Sequence, residues 1–265
     1  MDIQQYLEKK KNELAAQAAQ PQRQYCRHCL KSVKACFCHE IEPLDTLMHF
    51  VLLMHPKEAF RETVGTGRIS QLALKNSRLI IGTEFNQNAE TNSLLTSPRH
   101  LPFLLYPGRN ALNISTTFGR EQFLGLMGAN PEKIPTVFVI DATWAISMKM
   151  RHKSKNLHDI PQICFTPATE SKFVIKHQPQ KHCLATIEAI FGLLDACDGT
   201  IEQLDGRQAR LMAYFQRMID FQLRCVETPG QPAYRHHHNH FKNPAERQSS
   251  RRWQRTRLFL DDKPQ

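Results

Sequence analysis

The chain has 265 residues, 41% of them hydrophobic and 23% charged, enough to bury a full core. Its formal net charge of +10 and pI near 9.3 point to a polyanionic partner, nucleic acid first among them. No run approaches the roughly 18 apolar residues of a membrane helix, and the opening MDIQQYLEKKKNELAAQAAQ lacks the apolar core of a secretory signal. No membrane partner is expected. A cytoplasmic setting is, and there the eight cysteines serve as thiols or metal ligands rather than disulfides.

Residues 3–20 are rich in helix formers and end at Pro21. A cysteine-bearing stretch, 26–38, follows. Residues 46–54, TLMHFVLLM, read as a buried strand. A helix is predicted over 69–76 and a strand over 78–82. The polar residues 86–100 read as a loop, and 101–106 as a strand stopped by Pro107-Gly108. TVFVI at 136–140 is a β-branched strand ending at Asp141. KFVIK at 172–176 reads as one more short strand. Helical spacing of apolar residues covers 184–197 and 208–224.

Short apolar strands alternating with amphipathic helices predict an α/β fold with a mainly parallel sheet. Ligands of such sheets lie beyond the carboxyl ends of the strands. Three segments are therefore suspects: 106–108, 141–144 and 176–185. From residue 231 onward the chain carries eight Lys or Arg against three Asp or Glu, and too few apolar residues to bury much. It reads equally as a solvated tail or as an RNA-contacting arm, with Arg251, Arg252 and Arg255 meeting phosphates and Trp253 stacking on a base. Two weaker signals are set aside: Gly65-Thr66-Gly67 reads better as a turn or helix entry than as a nucleotide loop, and His55-Pro56-Lys57-Glu58, at a strand end where it could enter a site, reads better alone as a turn with a polar cap.

Cys26, Cys29, Cys36 and Cys38 have the spacing C-x2-C-x6-C-x-C. Four thiolates from tight turns suit tetrahedral Zn2+, and a site with all positions filled is structural rather than catalytic. Asp141-Ala142-Thr143-Trp144 joins the strand 136–140 to a helix-like segment. Asp141 reads equally as a helix cap and as a catalytic carboxylate facing the ligand crevice. Trp144 suits either stacking on a base or core packing.

Asp141-Ala142-Thr143-Trp144 resembles the DxTW motif of the DTW-domain family. Four other blocks resemble it in the same order: the cysteine cluster, His55-Pro56-x-Glu58 with Thr66-Gly67-Arg68, LLYPG at 104–108, and LATIEA at 184–189. Together they span about residues 25–225, and their spacing also resembles the bacterial tRNA-uridine aminocarboxypropyltransferases. Two positions depart from the pattern. Ala142 stands where Gly is frequent, and Lys176 where Arg is frequent, which keeps the charge and gives up a bidentate contact.

The resemblance implies a SPOUT-like parallel sheet flanked by helices, with a C-terminal trefoil knot and a small N-terminal zinc-binding module. The chain then divides into an N-terminal helix (1–22), a four-cysteine zinc module (23–42), a catalytic domain (43–230) and the basic tail (231–265), the helix and the tail being read from composition and the tail lying outside the resemblance. The resemblance implies S-adenosylmethionine as donor, held by Leu105, Tyr106, Pro107, Gly108, Ile140, Asp141, Thr143, Trp144, Cys183, Leu184, Ala185 and Thr186. The implied reaction moves the 3-amino-3-carboxypropyl group to N3 of a tRNA uridine, typically position 47 of the variable loop, and releases methylthioadenosine. Asp141 is then the candidate base, with Thr143 and Trp144 beside it, and Lys176 is a candidate for the donor carboxylate or an RNA phosphate. Two rivals stand: an RNA methyltransferase on the same fold, and a zinc-containing RNA-binding protein without catalysis.

Overall fold

The structure, a computed structural model, describes residues 3–19, 24–62, 64–176 and 183–227. The chain divides into two compact units that part between Cys38 and His39. In the first, helix α1 (Ile3–Ala19) is followed by the cysteine stretch. There Tyr25 and Ser32 form an antiparallel bridge, and Leu30 takes a left-handed turn at φ 56° that returns its N–H to the Cys26 carbonyl.

The second unit is built on β1 (His49–Met54), β2 (Ser77–Ile81), β3 (His100–Leu105), β4 (Leu112–Asn113), β5 (Ile134–Asp141) and β6 (Gln162–Cys164). They form one six-stranded sheet in the order β2-β1-β5-β3-β6-β4, and every neighbouring pair is parallel. β1 and β5 occupy inner positions, which is why their sequences are continuous apolar runs rather than alternating ones. Phe50 to Met54 and Val137 to Ile140 are all buried.

Helices cover both faces: α2 (Pro56–Phe60), α3 (Gly67–Leu72), α4 (Ala89–Thr96), α5 (Thr117–Gly128), α6 (Trp144–Lys153), α7 (Thr186–Cys197) and α8 (Ala209–Glu227). On one face Val51, Leu53, Leu104, Phe138 and Ile140 form a layer with Phe85, Tyr106, Met150 and Leu157, against which Leu94, Leu95 and Ile146 pack. On the other, α3 lies on β1 and β2, α7 on β5, and α8 on α7. Phe103 meets Phe123 of α5 edge to face at 5.0 Å. Burial of each such side chain contributes about 1.5–3 kcal/mol. Among the described residues no helix is long and apolar enough to cross a membrane.

The predicted α/β architecture and parallel sheet are borne out, with three local corrections. Residues 172–176 are not a strand: they turn, because the Lys172 N–H and the Ser171 hydroxyl are taken by the Glu188 carboxylate instead of a sheet neighbour, each at 2.7 Å. The place in the sheet beside β3 belongs to β6. The polar stretch 86–100 contains α4, capped by Asn88 Oδ1, which accepts the Thr91 N–H at 2.8 Å. Helix α5, with its three glycines, carried too weak a helical signal to be read. The basic tail, with Arg251, Arg252, Trp253 and Arg255, lies outside the described residues.

Candidate active site and metal centre

A parallel sheet brings the carboxyl ends of its strands to one edge. Here the ends of β3, β5 and β6 meet the segment before α7 around a cavity of about 230 Å³. Leu105, Tyr106, Pro107, Ile140, Asp141, Thr143, Trp144, Cys183, Leu184, Ala185 and Thr186 all line it. Gly108 is the exception among the expected donor-binding residues. It packs on Gln162, whose Nε2 donates to the Tyr106 carbonyl at 2.7 Å, and a Cβ there would overlap that amide. Gln162 is in turn held by Arg151 at 2.9 Å, and the Arg151 guanidinium lies 5.4 Å from the centre of the Tyr106 ring. Tyr106 and Trp144 lie with ring centroids 6.1 Å apart. The strand end is thus braced from α6.

Asp141 closes β5 and is buried, 4% exposed. Thr186 Oγ1, at the first residue of α7, donates to its Oδ1 at 2.5 Å, while its Oδ2 has no hydrogen-bond partner among the described residues. Burial pushes the carboxyl up to about 6, with Glu58 adding to the rise and Thr186, Lys176 and Arg68 opposing it. Thr143, not Asp141, occupies the cap position of α6. Of the two readings of Asp141, the cap is excluded: the carboxylate belongs to the cavity.

Two groups set aside in the sequence enter the site. His55 follows β1 and caps α2, its Nδ1 accepting the Lys57 N–H at 3.1 Å, and its own backbone N–H donates to the Asp141 carbonyl at 3.0 Å. One turn later Glu58, 7% exposed, lines the cavity and pairs with Lys176, whose Nζ lies 3.3 and 3.2 Å from its two oxygens and 3.6 Å from Glu62 Oε2. Thr66 also lines the cavity, and Gly67 starts α3 directly against Asp141. A Cβ at Gly67 would stand 2.6 Å from Asp141 Cγ and 2.7 Å from Met54 Cε, so any side chain there must displace one of them. The turn reading of these segments hid them, since only the adjacency of β1 and β5 brings them to Asp141.

Glu188 fixes the far wall. Besides Ser171 and Lys172, its carboxylate accepts the Ala185 N–H at 2.7 Å, joining the 171–173 turn to the start of α7. Phe173, from that turn, lines the cavity and meets Phe215 of α8 edge to face at 5.2 Å.

In the first unit the Sγ atoms of Cys26, Cys29, Cys36 and Cys38 all lie within 4.8 Å of one another, and Cys26 and Cys38 are 3.9 Å apart. A tetrahedron with Zn–S bonds of about 2.3 Å has edges of roughly 3.8 Å, so the four sulfurs fit the ion. The backbone N–H of Cys29 donates to Cys26 and draws its thiol down to about 6, whereas burial pushes Cys29 and Cys38 up. Such a cluster holds its charge only around a cation.

The DTW domain family model matches residues 23–223. The chain is 24% identical over 205 residues to tRNA-uridine aminocarboxypropyltransferase 2 of Macaca fascicularis, covering 76% of this chain and 64% of that protein. It is 28% identical over 173 residues to the protein of the same name in Drosophila melanogaster, covering 63% of each. It is also 21% identical over 230 residues to tRNA-uridine aminocarboxypropyltransferase A of Arabidopsis thaliana, covering 80% of this chain and 85% of that one. The chain thus spans just under two thirds of the length of the two animal relatives. No solved structure matches.

Proposed function

The chain belongs to the DTW domain family, and on that premise we propose that it transfers the 3-amino-3-carboxypropyl group of S-adenosylmethionine to N3 of a uridine in tRNA, at position 47 of the variable loop. The observation that carries this is Asp141: a buried carboxylate on the lining of a largely apolar cavity, whose Oδ2 has no hydrogen-bond partner among the described residues. Uridine N3 bears a proton and becomes a nucleophile only when it loses it. A carboxyl raised to about 6 is ionised near neutrality yet a better proton acceptor than an ordinary one.

Asp141 takes the N3 proton as N3 bonds to the γ-carbon. The γ-carbon–sulfur bond breaks with its electron pair on sulfur, and neutral methylthioadenosine leaves. A sulfonium needs no further activation, so the task of the site is alignment of N3 with one of three carbon–sulfur bonds. The cavity suits the donor: apolar walls from Leu105, Pro107 and Ile140, aromatic faces from Tyr106 and Trp144, and charged groups from Glu58 and Lys176. N3 is on the Watson–Crick edge, so the base enters unpaired, and Trp144 gives it a surface to stack on.

The SPOUT-like knot belongs to this proposal: the donor site it implies is made from the same ends of β3 and β5 and the approach to α7. The division into a four-cysteine module at 23–42, a catalytic domain at 43–230 and an arm at 231–265 belongs to it too. The four-cysteine centre with structural Zn2+ and the basic arm, through Arg251, Arg252, Trp253 and Arg255, hold the tRNA. Lys176 faces the cavity and its acids, so its role is toward the donor rather than a phosphate. A tRNA substrate and a thiolate metal site suit the reducing cytoplasm.

Incubation with S-adenosylmethionine and unmodified tRNA tests the reading through its small product. Methylthioadenosine must accumulate only when tRNA is present. Release of S-adenosylhomocysteine would instead mark methyl transfer, and no release of either would mark a binding protein.

A further inference from the structure

Glu58 and Lys176 form a charged pair on the wall of a cavity that is otherwise mostly apolar. Within the protein alone such a pair stabilises little, because desolvation offsets the attraction. Its distances of 3.2 and 3.3 Å are also long for charge-assisted hydrogen bonds, which close to about 2.7–2.9 Å. One ammonium group is spread over both oxygens of Glu58 and, at 3.6 Å, over Glu62. A carboxylate offers about four acceptor sites, so Glu58, which lines the cavity, keeps acceptor capacity beyond its contacts with Lys176.

We infer that Glu58 and Lys176 seat the zwitterionic amino-acid head of the donor, its α-ammonium against Glu58 and its α-carboxylate against Lys176. This rests on the reading of the cavity as the S-adenosylmethionine site. The seat explains the aim of the reaction. A Cβ placed on Gly65 would lie 3.7 Å from Glu58 Oε2, and one on Gly67 would strike Asp141, so this short segment runs from one carboxylate to the other. The γ-carbon is two carbons from the one that bears the ammonium. A head anchored beside Asp141 therefore fixes the γ-carbon near the base and leaves the methyl pointing elsewhere.

Titration calorimetry of the full chain with S-adenosylhomocysteine, which has the head, and methylthioadenosine, which lacks it, tests the seat. The wild type is expected to bind the first at least about tenfold more tightly, the scale of one charge-assisted hydrogen bond. Glu58→Gln and, separately, Lys176→Gln are expected to erase most of that preference while methylthioadenosine binds within about twofold of wild type. Unchanged methylthioadenosine affinity also certifies the fold of each variant. Parallel weakening of both ligands, or a preference that survives both substitutions, overturns the inference and leaves the cavity assignment standing. Failure of the wild type to bind either ligand overturns both.

Discussion

Thr186 Oγ1 donates to Asp141 Oδ1 at 2.5 Å, while Oδ2, buried beside Gly67, has no hydrogen-bond partner among the described residues. The pair joins the end of β5 to the start of α7, elements far apart in sequence, and sets how easily the carboxyl ionises. Burial raises it to about 6, and the Thr186 hydroxyl holds it from rising further. Activity is therefore expected to climb with pH through about 6 and level off above it, since the base works only when ionised. Thr186→Val is expected to shift that limb to higher pH. The kcat/KM profile of the two proteins checks this, and a limb that Thr186→Val leaves in place would detach Thr186 from the base.

The same carboxyl weakens the fold. Its native value is raised above the unfolded value of 3.8, so in the window between about 4 and 6 the unfolded chain gives up its proton first. Stability from this group is intact below 3.8, falls as pH rises through the window, and is flat above 6. Asp141→Asn abolishes the dependence. Its stability relative to wild type is expected to grow from pH 4 to pH 7 by up to roughly 3 kcal/mol, at about 1.36 kcal/mol per pH unit. Denaturant melts of both proteins at the two pH values measure the gap, and a constant gap would mean that Asp141 is not strained by burial.

Gly67→Ala is expected to disable the site without removing any functional group. Its methyl would overlap the Asp141 carboxylate and Met54, and one of them must move. Overpacking of this kind costs about 1–3 kcal/mol, and displacement of a reacting group by an ångström costs about a hundredfold in rate. Steady-state kinetics beside a thermal melt should show both losses. Normal kcat in the alanine variant would show that Asp141 need not occupy its observed position.

Four of the eight cysteines cluster, so a metal should shield half of the thiols. One zinc per chain is expected by elemental analysis, with slow thiol labelling at Cys26, Cys29, Cys36 and Cys38 that becomes fast after chelation. Cys29→Ser is expected to lose the metal and weaken tRNA binding while methylthioadenosine binding is kept. Equal labelling of all eight thiols with no metal present would remove the zinc centre from the account.

The cysteine cluster and the DATW strand end were legible because both are local: their chemistry is written in consecutive residues. The sheet's inner strands were legible because burial on both faces demands unbroken apolar runs, as in HFVLLM and TVFVI. Glu58, Thr66 and Gly67 were not read as a site, because they join Asp141 only through the pairing of β1 with β5, a relation that spacing does not encode. KFVIK read as a strand since its alternation fits one. The Glu188 carboxylate, which is twelve residues beyond Lys176, takes its backbone instead. Strand β6 has only three residues, too few for a periodic signal.

The central claim is that Asp141 makes this chain a uridine-alkylating enzyme. Mass spectrometry of the nucleosides of unmodified tRNA, after incubation with S-adenosylmethionine and either wild-type protein or Asp141→Asn, tests it most directly. The expected result is 3-(3-amino-3-carboxypropyl)uridine with wild type only, with tRNA binding equal for the two proteins. An unmodified or methylated uridine from the wild type, or equal product from Asp141→Asn, would contradict it.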